Sequence, residues 1–476
     1  MTQVTTGRMA LNTLWLVTAV SVPLSVRLFL PSIGTEIIFP AEPLLGLLSL
    51  FVVIKWLRSP APWDELRSTF RTTVARLASA WVLIHIYSAI FSTDPMASWK
   101  AVVVQSVYVI ALLAIPISGS GGYATVWNVR WNWHDAAFLL VVTSTLTASA
   151  IHGLDRMAVN FAPFPFYKDH TLYAAVLSFV FFHVLAKVDD ALKERSIRIR
   201  TTTLILLLVG LSGALVLSYG RGAWMGTFLA LLLYGVLGLP RRWSILLVST
   251  SVVLVLLALF GAPLAGRPQS HASQLHGTGP LRTLRSFTNT TGDSNNIDRL
   301  IRWKASIRMF RHAPLTGLGA GTWQDRFEHY TTPEERGRIS GDFVLDDTKW
   351  APAFGVGSAI RLRDHAGNIP GNFGSAHSEY LLALSETGLF GGLWWLVVVL
   401  LVVHHTCRAL LRGRQDLRYT LIWCSGLALC AYLTHAFFNN FLDDCKAAFL
   451  FWPSLAILCS ETFRTPPTPA APPPSA

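Results

Sequence analysis

The sequence predicts an all-α polytopic membrane protein, with about twelve transmembrane helices and one long polar loop late in the chain. Three observations carry that prediction. Hydrophobic residues make up 52% of the chain and charged residues 14%, with a mean hydropathy of +0.45; a soluble globule has too little interior to hide that much apolar surface. Apolar runs of roughly 20 residues, the length at which a helix crosses the hydrocarbon core, recur along the chain. Between the ninth and tenth of them lies a polar stretch, 263–376, far longer than ordinary connections and therefore a candidate for function.

The runs fall near 11–30, 41–57, 74–92, 100–118, 135–151, 169–187, 201–219, 222–239, 243–262, 378–403, 418–438 and 446–462. The first contains Arg27, lacks an Ala-x-Ala site and exceeds a signal peptide in length, so it reads as a retained helix. The net charge of +12 raises the question of nucleic acid, but the basic residues follow topology. They crowd alternate connections: Arg8; Lys55, Arg58, Arg67, Arg71 and Arg76; Arg130; Lys187, Lys193, Arg195, Arg198 and Arg200; Arg241 and Arg242; Arg408, Arg412, Arg414 and Arg418; Arg464. The opposite short connections and helix ends hold Arg27, Lys100, Arg156, Lys168, Arg221 and Lys446. By the positive-inside rule the crowded side is cytoplasmic, so the long loop faces outward and no nucleic-acid partner is expected. The predicted organisation is transmembrane helices 1 to 9 over 1–262, a periplasmic loop with amphipathic helices over 263–376, helices 10 to 12 over 377–463, and a disordered cytoplasmic tail over 464–476, where Pro and Ala leave no face to bury.

Three features converge on the outer side. The turn Leu-Ser-Tyr-Gly-Arg-Gly-Ala-Trp, 217–224, joins two membrane helices almost without a loop and places Arg221 at the interface between glycines. A snorkelling arginine is the plain alternative, but the glycines allow close access to the backbone. Within the loop, 298–311 has apolar positions Leu300, Trp303, Ile307 and Phe310 at helical spacing, with Arg299 and Arg302 on a neighbouring face. Such a basic amphipathic helix also suits a lipid surface, so membrane lipids are expected partners. Pro-Leu-Thr-Gly-Leu-Gly-Ala-Gly-Thr-Trp, 314–323, follows; it lacks the Gly-Lys-Ser/Thr of a nucleotide loop. Third is His377, opening Ala-His-Ser-Glu-Tyr-Leu-Leu, with Glu386 and Gly388, Gly391 and Gly392 beyond it. Nearby arginines would disfavour its protonation and leave a neutral imidazole able to take a proton. Glu386, nine residues on and half a turn out of phase, reads as a buried structural acid bonded to a neighbouring helix.

Together, Arg-Gly-Ala-Trp, Arg-x-x-x-Trp-x-Ala…Pro-x-x-Gly-x-Gly-x-Gly and His-Ser-x-Tyr-Leu-x-x-x-x-Glu-x-Gly-x-x-Gly resemble the O-antigen ligase and polymerase family of bacterial inner membranes, over about 220–395. The resemblance is strongest to the ligases, and it implies a fold similar to class C glycosyltransferases and a periplasmic active site. It further implies a donor, a glycan on undecaprenyl diphosphate, and an acceptor, a sugar of the lipid A core. The family's arginine before the tryptophan falls on Arg299 and its histidine on His377.

These roles suit the residue types. Guanidinium groups bind phosphate oxygens by charge-assisted, bidentate hydrogen bonds, so Arg221, Arg299 and Arg302 are the candidates for the diphosphate. A diphosphate leaves without a general acid, and His377 suffices as general base for the acceptor hydroxyl, with inversion. No cofactor and no metal are expected, since the outer acidic pairs Asp346-Asp347 and Asp443-Asp444 are adjacent residues and weak chelates. An O-antigen polymerase or a protein O-oligosaccharyltransferase would share the donor motifs. A transporter is a poorer fit, because the charges gather at the outer loop rather than mid-membrane.

Overall fold

The computed structural model describes residues 2–30, 35–113, 123–151, 161–193, 198–238, 294–338, 375–412 and 417–459. Helices dominate: α1 (Thr2–Leu24), α2 (Ala41–Leu57), α3 (Pro62–Phe70), α4 (Thr73–Ile90), α5 (Pro95–Leu113), α6 (Tyr123–Ile151), α7 (His170–Lys193), α8 (Arg198–Leu217), α9 (Arg221–Gly238), α10 (Ser294–His312), α11 (Trp323–Arg326), α12 (Pro333–Arg338), α13 (Glu379–Leu411), α14 (Leu417–His435) and α15 (Cys445–Cys459). Among the described residues, seven helices are long and apolar enough to cross a membrane: α4, α5, α6 over Val129–Ile151, α7 over His170–Leu192, α8, α9 and α13. Leu11–Leu24 and α15 are shorter apolar helices. The expected span at 243–262, the loop segments 263–293 and 339–374, the Asp346-Asp347 pair and the tail 464–476 lie outside the described residues.

Local chemistry sets several boundaries. Thr72 caps α4 by accepting from the amide of Ala75, and Ser378 caps α13 by accepting from Leu381, each satisfying a backbone donor that the first turn leaves orphaned. The first apolar run is not helical to residue 30. It stops at Leu24, one residue past Pro23, and Val26–Leu30 pairs antiparallel with Thr35–Phe39, Val26 opposite Phe39. Proline cannot donate to the helix ladder, while the branched and aromatic side chains that follow suit a strand. The helical class therefore stands with one β-hairpin added.

The core is organised around α14 and α15. Every residue of α15 is buried, and α14 packs against α7, α9, α13 and α15. This arrangement puts the ends of α9, α13 and α14 side by side.

A second, smaller core belongs to the loop helices. Ile301, Ala305 and Met309 of α10 pack with Leu318, Trp323, Phe327, Ala376 and Leu382. The expected apolar stripe of α10 is thus corrected: Leu300 and Ile307 are exposed, and the covered face runs through Ile301, Arg302, Ala305, Ser306 and Met309. Trp323 decides this, because its indole donates to Ser306 Oγ at 2.8 Å and its ring draws the neighbouring stripe inward.

The glycine-rich segment after α10 is the joint between this unit and the membrane helices. Gly388 interrupts α13 with φ 67° and ψ −155°, a conformation open to glycine. The segment runs into that interruption, with Leu318 and Gly319 amides donating to the carbonyls of Ser385 and Glu386, and Leu389 donating back to Pro314. A Cβ at Gly388 would come to 2.5 Å from the Leu315 oxygen, and one at Gly317 to 2.1 Å from the Glu386 oxygen. The two backbones therefore meet only because both lack side chains.

Candidate active site

His377 sits where the loop unit ends and α13 begins. Its φ of 49° is left-handed, as is that of Tyr219 just before the Gly-Arg-Gly turn (φ 50°), and such backbone is uncommon outside glycine. The strained residue is held from both sides. Trp303 of α10 donates its indole N–H to the His377 carbonyl at 3.3 Å, and His377 Nδ1 meets Asn439 Oδ1 at 3.3 Å.

The turn that supplies Asn439, 436–444, is built around Glu379. Glu379 Oε1 accepts from Tyr432 Oη at 2.9 Å, Phe441 N at 2.6 Å and Leu442 N at 2.7 Å, while its own amide donates to the Ala436 carbonyl. A buried carboxylate with three donors locks the turn to the start of α13. Neither Asn439 nor Glu379 was assigned a role from sequence. The signal lay in the spacing of His435 and Asn439, four residues apart at a helix end, which is indistinguishable from ordinary polar capping.

The arginines occupy different situations. Arg302 is buried: Nε donates to both oxygens of Asp298 at 3.0 Å, Nη1 donates to the Ser375 carbonyl at 3.1 Å, and the guanidinium lies over the rings of Trp323 and Phe327. Arg299 is half-buried on the same helix. Burial first, then the charges of Arg302 and Arg299, push the His377 imidazole down to about 4, against smaller opposing effects from Asn439 and Asp169. Arg221 is buried as the first residue of α9. Its neighbour Gly222 abuts α14, where an added Cβ would come to 2.3 Å from His435 Cδ2. The structure thus groups Arg299, Arg302 and His377, and brings the Arg221 turn against His435, itself bonded to Asn439 at 3.0 Å.

Glu386 does not bond to a neighbouring membrane helix as expected. Its carboxylate accepts from the backbone amides of Gly321 at 2.9 Å and Trp323 at 2.9 Å, fastening the glycine-rich segment. Asp443 and Asp444 face different partners: Asp443 accepts from Gln105 at 3.0 Å, whereas Asp444 pairs with Arg27 at 2.8 Å. Among the described residues, no group of three His, Cys, Asp or Glu side chains is placed to hold a metal ion.

A neutral, half-buried histidine beside arginines can take a proton from a hydroxyl while the cations meet an anion. Residues 205–343 match the family model described as O-antigen ligase. No curated protein matches the chain. The matched stretch holds Arg221, Arg299, Arg302 and the glycine-rich segment and ends before His377, which folding returns to it through Trp303. Over this stretch, set among membrane-length helices, the chain is similar to the O-antigen ligase family, and the match points to glycosyl transfer of the ligase or polymerase type.

Proposed function

We propose that this chain is an O-antigen ligase that transfers a glycan from undecaprenyl diphosphate to a lipid A core sugar, at the periplasmic face of the bacterial inner membrane. The observation that carries this reading is His377 held between the arginine-bearing α10 and the 436–444 turn. The distribution of basic residues between alternate connections supports the periplasmic orientation.

In the proposed reaction the acceptor hydroxyl loses its proton to His377 and its oxygen bonds to the anomeric carbon. The bond from that carbon to the diphosphate oxygen breaks, its electron pair leaving with the diphosphate, so configuration inverts. Charge grows on the diphosphate as this happens, and fixed cations stabilise that transition state more than the ground state. Arg221 and Arg299 take this role. Arg302, committed to Asp298 and Ser375, contributes its charge from behind and holds the segment that leads into His377. No metal takes part.

The test is reconstitution of the full-length protein with lipid-linked glycan and rough lipopolysaccharide. His377→Ala and Arg221→Ala should each lower transfer, His377→Ala by about 10²- to 10⁴-fold, the usual contribution of a general base. Wild-type transfer by both variants would overturn the site. Transfer only to a peptide, or growth of the donor glycan alone, would move the chain to the oligosaccharyltransferase or polymerase reading. With His377 pushed down to about 4, kcat/KM should stay level from neutral pH to about 5 and fall below it.

A further inference from the structure

We propose that Asn439 is the positioning residue of this site: it fixes His377 with its ring proton on Nδ1 and ties that ring, through His435, to the helix that starts at Arg221. The inference rests on the reading of His377 as a base and names what makes it one.

Asn439 is buried, and both atoms of its amide are engaged by histidines. Oδ1 meets His377 Nδ1 at 3.3 Å, and Nδ2 meets His435 Nε2 at 3.0 Å. A carbonyl oxygen only accepts, so His377 Nδ1 carries the proton and the basic lone pair stays on Nε2. An NH₂ group only donates, so with the amide in this orientation His435 Nε2 accepts. As His377 gains a proton from the acceptor, the Nδ1 bond becomes charge-assisted and strengthens, an effect present in the transition state and weak before it.

The His435 ring lies against the backbone of Gly222, where no Cβ fits, so its position reports that of α9 and of Arg221 at its start. Asn439 passes this position to His377, and the Glu379-centred hydrogen bonds keep the turn from yielding. Base and phosphate ligand are thus held at one spacing by a chain of three side chains, although α9 and α13 lie far apart in sequence.

The charged and titratable groups facing this chain are Arg299 and Arg302 from α10, and Asp169 and His170 at the start of α7. A carboxylate at 439 would add an anion directly on Nδ1.

The experiment compares full-length wild type with Asn439→Leu, Asn439→Asp and His377→Ala in the same reconstituted transfer, as pH profiles with kcat and donor KM resolved. Asn439→Leu should lower kcat by about 100-fold, the scale of a misplaced catalytic group, with donor KM within about twofold. Asn439→Asp keeps an acceptor for Nδ1 and should move the acid limb of kcat/KM upward by about one pH unit or more. If His377→Ala is inactive while Asn439→Leu keeps its kcat and Asn439→Asp its acid limb, the positioning role is wrong and the base reading stands. If His377→Ala transfers normally, both fall. For a variant that fails to fold, ¹⁵N spectra of histidine-labelled wild type in nanodiscs decide: a proton on His377 Nδ1 is expected, and one on Nε2 overturns the proposal without reference to activity.

Discussion

Among the described residues, two pairs of histidines each share one side-chain partner, and the two pairs are bonded in opposite ways. In α6 and α7, His134 and His183 both direct Nδ1 at Asp135, at 3.2 Å each, Lys187 stands 3.7 Å from the same carboxylate, and Trp131 stacks on His183. At the other site, His377 and His435 share the neutral amide of Asn439, and the nearest strong charges are arginines. A carboxylate ringed by donors completes its own electrostatics and has little to offer a ligand. A neutral amide adds no charge of its own beside the arginines. Clustered histidines alone therefore do not mark a reactive centre; the charge of their common partner is what distinguishes the two pairs, and the proposed base belongs to the uncharged one.

Substituting Asp135 by Ala breaks the comparison most severely. It leaves Lys187 and two imidazoles around a void, and removal of one partner from a buried charged network costs about 3–5 kcal/mol. The expected result is a large drop in thermal unfolding temperature, with transfer per folded molecule unchanged. His377→Ala should do the reverse, and loss of turnover in folded Asp135→Ala would show that the two regions are coupled.

Glu386→Ala comes next. It takes the acceptor from the amide of the exposed Gly321 and orphans the buried amide of Trp323, the latter at about 1–3 kcal/mol for an unsatisfied group. Because those bonds fasten the segment that follows α10, transfer should fall along with stability. Glu386→Gln, with one acceptor oxygen, should lie between Ala and wild type in both measurements. A variant equal to wild type in unfolding temperature would remove the fastening role.

The smallest effect is expected at Arg308–Glu335, a pair at 2.6 Å whose arginine is 38% exposed. Solvent screens such pairs, so Arg308→Ala should cost no more than about 1 kcal/mol. The hydrogen bond to Arg308 holds the Glu335 carboxyl down at about 2. The sign follows: the pair contributes above the ordinary carboxyl range, near pH 4.3, and its contribution disappears as pH falls through about 2. Equal unfolding temperatures for wild type and variant are therefore expected in strong acid. His377 has the same sign over another window, since its depressed value means the unfolded chain takes up a proton between about pH 6.5 and 4 that the folded chain refuses.

The reach of sequence reading differed by residue. Motif and position single out His377 and Arg299, whose roles belong to the proposal, and the Pro-x-x-Gly-x-Gly-x-Gly segment was legible as a feature. Its purpose was not, because the partner that demands glycine at 317 is the break at Gly388, some seventy residues away. Arg302 illustrates the opposite case. Its spacing from Arg299 was read correctly as helical, yet helical period alone does not say which of two adjacent stripes a neighbour will cover. Trp323 and Phe327 covered the stripe that contains it.

What the sequence by itself determined is the helical membrane class of the protein and which polar groups stand at the ends of its apolar runs. Long apolar runs make membrane helices by local composition, and the donors and bases available at their ends are written in the same runs. Tertiary structure alone decided which groups meet: that α9 approaches His435 at Gly222, that Asn439 bridges two histidines, and that Glu379 and Glu386 tie down the segments on either side of His377. The reason is physical. A helix forms from interactions within a few residues, whereas a buried side-chain hydrogen bond depends on where the packing of other helices leaves its partner.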